Sequence, residues 1–208
     1  MNRANLHGLY AITRPGADLL ATTAAILRGG ARLIQYRDKS ADAAQRRETC
    51  AALVSLCRQF NAPLIVNDDV ALAAACGAQG VHLGQRDAGC RQARERLGAN
   101  AIIGVSCHAS LALGVDAERA GANYAAFGSC FPSPTKPDAA QAPLALLTQA
   151  RGRLTIPIVA IGGINPTNAA MIQAAGAHMA ALISALYDAP NPEAAARALH
   201  HLWHHPHP

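Results

Sequence analysis

Asp68 and Asp87 each follow a short apolar run, LIVN and GVHLGQR, so each stands just past the end of an expected strand. On neighbouring strands, two such carboxylates can share a hard cation. Mg2+ takes one or two carboxylates and fills its remaining positions with water and phosphate oxygens. Arg37, Lys39 and Lys136 bring positive charge suited to the oxygens of a diphosphate. Gln35, Asn67, Ser106, Ser133, Thr135 and Ser184 add small donors at similar addresses. The pair Gly162-Gly163 lets backbone N–H groups approach a ligand closely, because Gly lacks a Cβ. Plainer roles exist for each residue. Asp68 would also cap a helix starting at Val70, a role open equally to Asp69. Asp87 would cap a helix after Ala88, and each cation taken singly would be an exposed charge or a surface ion pair.

The positioning elements follow from an alternation repeated about eight times. Apolar runs at 7–13, 31–36, 64–68, 80–84, 102–107, 124–130, 157–161 and 178–184 read as strands. Segments of helical spacing lie between them: 17–29, 42–60, 70–76, 89–97, 111–120 and 144–151, with another capped by Asn165 and a last one after Pro192. Short apolar strands alternating with helices mean parallel strands and crossover connections. Eight repeats predict a single α/β domain, a (β/α)8 TIM barrel with its active site at the C-terminal ends of the strands. An open doubly wound sheet is the competing architecture, but no G-x-G-x-x-G follows the first strand. Polar residues recur after nearly every strand, while the opposite ends are plain. Residues 131–143 are rich in Pro and read as a loop. The barrel is expected over residues 1–199, with a disordered His- and Pro-rich tail at 200–208.

Composition narrows the classes. The chain has 208 residues, 51% hydrophobic and 15% charged, which is a folded domain with a sizeable core. Aromatics make up 4%, too few for base-stacking platforms, and the net charge of +5 shows no Lys/Arg run. No nucleic acid is expected as a partner, and the excess charge suits small anionic substrates. The six cysteines form no C-x-x-C pair and read as free thiols in a reducing compartment. With no secretory signal and no membrane-length apolar run, the expected location is cytoplasmic, away from membranes. A homo-oligomer stays open.

The chain resembles the thiamine-phosphate synthase family over nearly its whole length, through IQYRDK, IVNDD, GVHLGQRD, GVS, FPSPTK, IGGI and LIS in that order. That resemblance implies a transferase. It would join 4-amino-2-methyl-5-(diphosphooxymethyl)pyrimidine to a thiazole phosphate, releasing diphosphate and forming thiamine phosphate. It implies that Gln35, Tyr36, Arg37, Asp38, Lys39 and Asn67 bind the pyrimidine diphosphate, with Ser106 and Lys136. It implies that Asp68 and Asp87 hold Mg2+, and that Ser133, Pro134, Thr135, Gly163, Ile183 and Ser184 receive the thiazole phosphate. Arg37, Lys39 and Lys136 would act on the leaving group in a dissociative reaction. Tyr36 and Asp38 stand where the family more often has Leu and Glu.

Three other readings compete. A thiazole tautomerase of the same fold would use a His after the fifth strand, as His108 is placed, but tends to lack the Asp pair and the T-K of the loop. In the synthase reading His108 is a partly buried residue at a helix start. A phosphate-sensing regulator would not need Asp68 and Asp87. The tail histidines, His200, His201, His204, His205 and His207, suit a transition metal.

Overall fold

The computed structural model describes residues 6–132 and 141–204. Eight strands close into a barrel: β1 (Gly8–Ile12), β2 (Leu33–Tyr36), β3 (Leu64–Asn67), β4 (Gly80–Leu83), β5 (Ile102–His108), β6 (Tyr124–Phe127), β7 (Ile158–Ile161) and β8 (Met179–Leu182). Each pairs in parallel with the next, and β8 pairs with β1 through Gly8 and Met179. The TIM barrel expected from the alternation is the observed fold, and the open sheet is not.

Helices α1 (Leu19–Arg28), α2 (Ala43–Gln59), α3 (Val70–Cys76), α4 (Cys90–Leu97), α5 (Leu111–Arg119), α6 (Leu144–Arg153), α7 (Ala169–Ala174), α8 (Ser184–Tyr187) and α9 (Pro192–His204) surround the barrel. Their starts are set by local chemistry. The Asp42 side chain accepts from the N–H groups of Ala44 and Gln45, Asp69 from Leu72, and Ser110 from Leu113. Asp69, and not Asp68, caps α3.

Side chains alternate across each strand, so the barrel has two cores. Outward residues such as Leu9, Ile34, Val66, Val81, Ile103 and Phe127 pack under the helices. Inward residues, Tyr10, Leu33, Ile65, Ile102, Tyr124, Val159 and Met179, fill the interior. Gly104 makes room there, since a Cβ at that position would lie 1.9 Å from Tyr124 Cζ.

Four boundaries differ from the sequence expectation. β6 stops at Phe127, because the chain then runs alongside the end of β7: Cys130 N–H donates to Ile161 O and Phe131 N–H to Gly162 O. α7 starts at Ala169 and not at Pro166, because Asn165 and Asn168 are spent on the loop. Asn165 Oδ1 accepts from Thr167, and Asn168 Nδ2 donates to Gly163 O at 2.9 Å. α8, four residues long, is too short to show a period. α9 continues to His204, so the division expected at residue 199 falls inside a helix; Trp203 is buried and its Nε1 donates to His178 O at 2.9 Å. The tail readings on His205 and His207 lie outside the described residues. Among those described, no group of three metal-ligating side chains gathers.

His178, at the start of β8, gives the fold a pH dependence. Its Nδ1 accepts the Ile158 N–H at 2.9 Å, so that nitrogen carries no proton. Burial, then Arg151 and His7, hold its pKa down to about 4 from an ordinary 6.5. The unfolded chain therefore takes up a proton that the folded chain refuses, between those two values. Stability is expected to fall as pH drops from about 6.5 to about 4. In His178→Gln, whose side-chain oxygen can still accept from Ile158, thermal melts across that range should show a flatter decline. An unchanged slope contradicts the assignment.

Candidate active site

The inward residues nearest the C-terminal ends of the strands line one cavity of about 180 Å³, among them Gln35, Asn67, His82, Ser106, Ile161 and Ile183. A chain of hydrogen bonds runs across the barrel beneath it. Gln35 Nε2 donates to Tyr10 Oη at 2.6 Å, and Tyr10 Oη lies 2.8 Å from Tyr124 Oη. Tyr124 Oη lies 3.0 Å from His82 Nδ1, and His82 Nε2 lies 2.8 Å from Ser106 Oγ. The His82 and Tyr124 rings stack with centroids 5.6 Å apart. Burial holds both tyrosine hydroxyls well above their ordinary pKa, so both stay protonated and serve as fixed donors. Sequence reading found Gln35 and Ser106 but missed Tyr10, His82 and Tyr124. The available signal was the period of two: His82 shares its side of β4 with Gly80, and Tyr124 shares its side of β6 with Ala126.

Beside this cavity is a second, of about 440 Å³, lined by Asp38, Lys39, Arg46, Asn67, Asp68 and Asp69 among others. Lys39 Nζ lies 3.3 Å from Asp68 Oδ2. Asp68 pKa is raised, first by burial and then by its close contact with Asp87, while Lys39 opposes the shift. Asp87 therefore lies close enough to Asp68 to disfavour its charge. Asp87 Oδ2 also accepts the Gly84 N–H at 2.6 Å, while α4 is capped by Gly89, so Asp87 is not a helix cap. Asp68 has a φ of +61°, a left-handed backbone that a non-glycine residue rarely adopts.

A third cavity, about 360 Å³, lies between Gly162-Gly163 and Ile183-Ser184, with Pro132 on its rim. Gly162 and Gly163 both have positive φ, at +102° and +61°, and both lie under the segment that follows β6. A Cβ on Gly162 would lie 2.0 Å from Ser129 Oγ, and one on Gly163 would lie 2.3 Å from Pro132 O. Glycine is needed there for close packing as well as for access.

The expected residues divide as follows. Gln35, Arg37, Asn67 and Ser106 meet in the central cavity, and Lys39, Asp68 and Asp87 beside it. Gly163, Ile183 and Ser184 line the third cavity. Tyr36 does not join them. Its side chain points outward into the helix layer, 2% exposed, and its buried hydroxyl finds no hydrogen bond of good geometry among the described residues. Side chains alternate along β2, so Gln35 facing the cavity puts Tyr36 on the other face. Asp38 lines the second cavity, yet its carboxylate is already engaged. Oδ1 accepts from Ser40 N at 2.8 Å, Ser40 Oγ at 2.8 Å and Ala41 N at 3.2 Å. Burial pushes that carboxyl up, but these hydrogen bonds outweigh it and hold its pKa below the ordinary value. His108 is exposed, with a φ of +49°, and lines the central cavity; Ser110 is the residue at the helix start. Ser133, Pro134, Thr135 and Lys136 lie outside the described residues.

Known proteins match this chain along nearly its full length. The profile of the family described as thiamine monophosphate synthase matches residues 9–186. The chain belongs to this family. A protein of Thioalkalivibrio sulfidiphilus named thiamine-phosphate synthase is 54% identical over 198 residues, covering 93% of this chain and 94% of that protein. One of Thiobacillus denitrificans with the same name is 52% identical over 199 residues, covering 94% of each. A solved structure described as thiamine phosphate pyrophosphorylase from Pyrococcus furiosus superposes with a TM-score of 0.86 at 36% identity. It covers 95% of this chain and 96% of that one. The family resemblance read from the motifs is thereby established.

Proposed function

We propose that the protein is a thiamine-phosphate synthase. It joins 4-amino-2-methyl-5-(diphosphooxymethyl)pyrimidine to a thiazole phosphate, breaking the carbon–oxygen bond to diphosphate and forming a carbon–nitrogen bond to the thiazole. The observation that carries this reading is the Asp68–Asp87 pair, set with Lys39 at the C-terminal rim of the barrel beside a polar central cavity. Its support in sequence is the match to relatives of that name.

The donor set fits Mg2+. Two hard oxygen donors lie together, at a cost to Asp68 from burial and from Asp87, and among the described residues the Lys39 ammonium lies 3.3 Å from Asp68 Oδ2. Asp68 and Asp87 would hold the ion, which when bound supplies positive charge against the departing diphosphate. Lys39 and Arg37 add charge from the β2 loop, and the family places Lys136 with them. Asp38 holds that loop in shape through Ser40 and Ala41. Gln35 and Ser106, fixed by the tyrosine–histidine chain, orient the pyrimidine where its carbocation forms. The cavity at Gly162, Gly163, Ile183 and Ser184 takes the thiazole phosphate on backbone N–H groups. No strong base is needed, because the thiazole nitrogen attacks with its own lone pair. A cytoplasmic location goes with this reading, and among the described residues no helix is long and apolar enough to cross a membrane.

The test is an assay with both substrates and Mg2+, following diphosphate and thiamine phosphate together. Equal release of the two products is expected, with neither formed when one substrate is withheld. Lys136→Ala should slow turnover by at least about tenfold, about 1.4 kcal/mol of barrier. Conversion of a thiazole tautomer without diphosphate release would instead make the protein a tautomerase. No product from any mixture would leave a sensor.

A further inference from the structure

Asp68 is held in a conformation that it would not choose alone. The Asp69 N–H donates to Asn67 O at 2.7 Å across it, closing a three-residue turn, and its φ of +61° belongs to the rarer, strained form of such turns. Strain of that kind persists only where both flanks are fixed by other contacts. On one side, Asn67 ends β3 in register with His82, and the Asp68 N–H donates to His82 O at 2.8 Å.

The other flank is Asp69, and both of its carboxylate oxygens are engaged. Oδ1 accepts the Leu72 N–H at 2.8 Å and caps α3. Oδ2 accepts from Arg46 Nη2 at 3.0 Å. Arg46 belongs to the first turns of α2, a different part of the barrel wall, where its own N–H donates to Asp42 O. The ion pair therefore ties the turn carrying Asp68 to a neighbouring helix, and both partners are largely shielded, with side chains 28% and 33% exposed. The Arg46 Nε is buried with no hydrogen-bond partner among the described residues. Leaving a charged group's N–H buried and unpaired costs stability, so stability alone is a poor reason for this arrangement.

We infer that Arg46, acting through Asp69, is a positioning residue that holds the Asp68 carboxylate against Asp87 for the divalent cation. The inference rests on the reading that Asp68 and Asp87 hold that cation. The work assigned to Arg46 is to fix the downstream side of the turn through Asp69. Residues that orient metal-ligating carboxylates commonly change metal affinity by about 10- to 100-fold when removed.

The experiment titrates Mn2+ into the EDTA-stripped protein and reads free ion by electron paramagnetic resonance. Arg46→Met and Asp69→Asn should each weaken Mn2+ binding by about 10-fold or more. Asn caps a helix as well as Asp does, so Asp69→Asn removes the ion pair and spares the cap. The double variant should bind no more weakly than either single one, because both remove the same contact. Arg46→Lys should recover part of the affinity, and Arg47→Met, on the next residue of α2, should bind as wild type. In turnover, Arg46→Met should need more Mg2+ for half-maximal rate while the rate at saturating Mg2+ stays within about twofold. Wild-type Mn2+ affinity in Arg46→Met, or additive losses in the double variant, would overturn the inference. Should Asp68→Ala also bind Mn2+ as wild type does, the cation reading fails and not merely the role of Arg46.

Discussion

Asp68→Asn is expected to lose at least about a hundredfold in turnover, about 2.7 kcal/mol of barrier, while the EDTA-stripped variant melts higher than wild type. Both effects have one origin. Burial and the adjacent Asp87 raise the pKa of Asp68, which means that its ionised form is disfavoured in the folded chain. A carboxyl raised on folding contributes its stability below the ordinary carboxylate range and loses it as pH rises through the shifted value. At neutral pH the wild-type carboxylate is therefore a cost that the neutral amide avoids. Asp68 is about one-third exposed, its side chain at 34%, so solvent screening keeps the gain near 1 kcal/mol at most. That corresponds to about 2–4 °C in a chain of this size. The advantage should vanish in acid, where wild-type Asp68 is protonated. Adding Mg2+ should raise the wild-type melting temperature and leave the variant's unchanged. A variant that melts lower than wild type at neutral pH without metal contradicts the account.

Gly162→Ala is expected to cost both stability and activity, by a different route. At a φ of +102° an alanine is strained by about 1–2 kcal/mol before any contact is counted. Its Cβ would also lie 2.0 Å from Ser129 Oγ and 2.7 Å from Ser129 Cα, and the second of these is backbone that cannot rotate away. The segment from Ser129 to Pro132 must shift, and Pro132 lines the third cavity. A displacement of about 1 Å at a positioning element costs about a hundredfold in rate, and the loss should appear in both KM for the thiazole phosphate and kcat. Gly121→Ala is the control. It has a similar φ of +88° but nothing within 4 Å of its Cβ, so it should lose stability alone. Equal activity in the two variants refutes the packing argument.

The barrel was legible because each strand buries both faces and because α2, α3 and α5 start or stop at recognisable residues. Asp42, Ser110 and Gly77 stand where the sequence puts starts and stops. The rim was legible because Gln35, Asn67 and Ser106 interrupt apolar strands at their C-terminal ends. Tyr36 was misjudged because a contiguous motif, QYRDK, hides the alternation that sends Tyr36 outward while Gln35 faces in. Tyr10 and Tyr124 passed as ordinary strand formers, since nothing in either strand reveals that their hydroxyls meet across 114 residues of chain. His108 looked like the start of a helix because its left-handed φ is invisible in sequence. The Arg46–Asp69 pair joins residues 23 apart on two elements, and only the closed barrel brings them together.

Under the proposed function, Asp68 and Asp87 share one cation at the mouth of the barrel. Crystals grown with Mn2+ and diphosphate, measured for anomalous scattering, address that directly. The account predicts one strong peak bridging the two carboxylates, with diphosphate oxygens completing its coordination. A peak elsewhere, or diphosphate bound with no ion between Asp68 and Asp87, would contradict it.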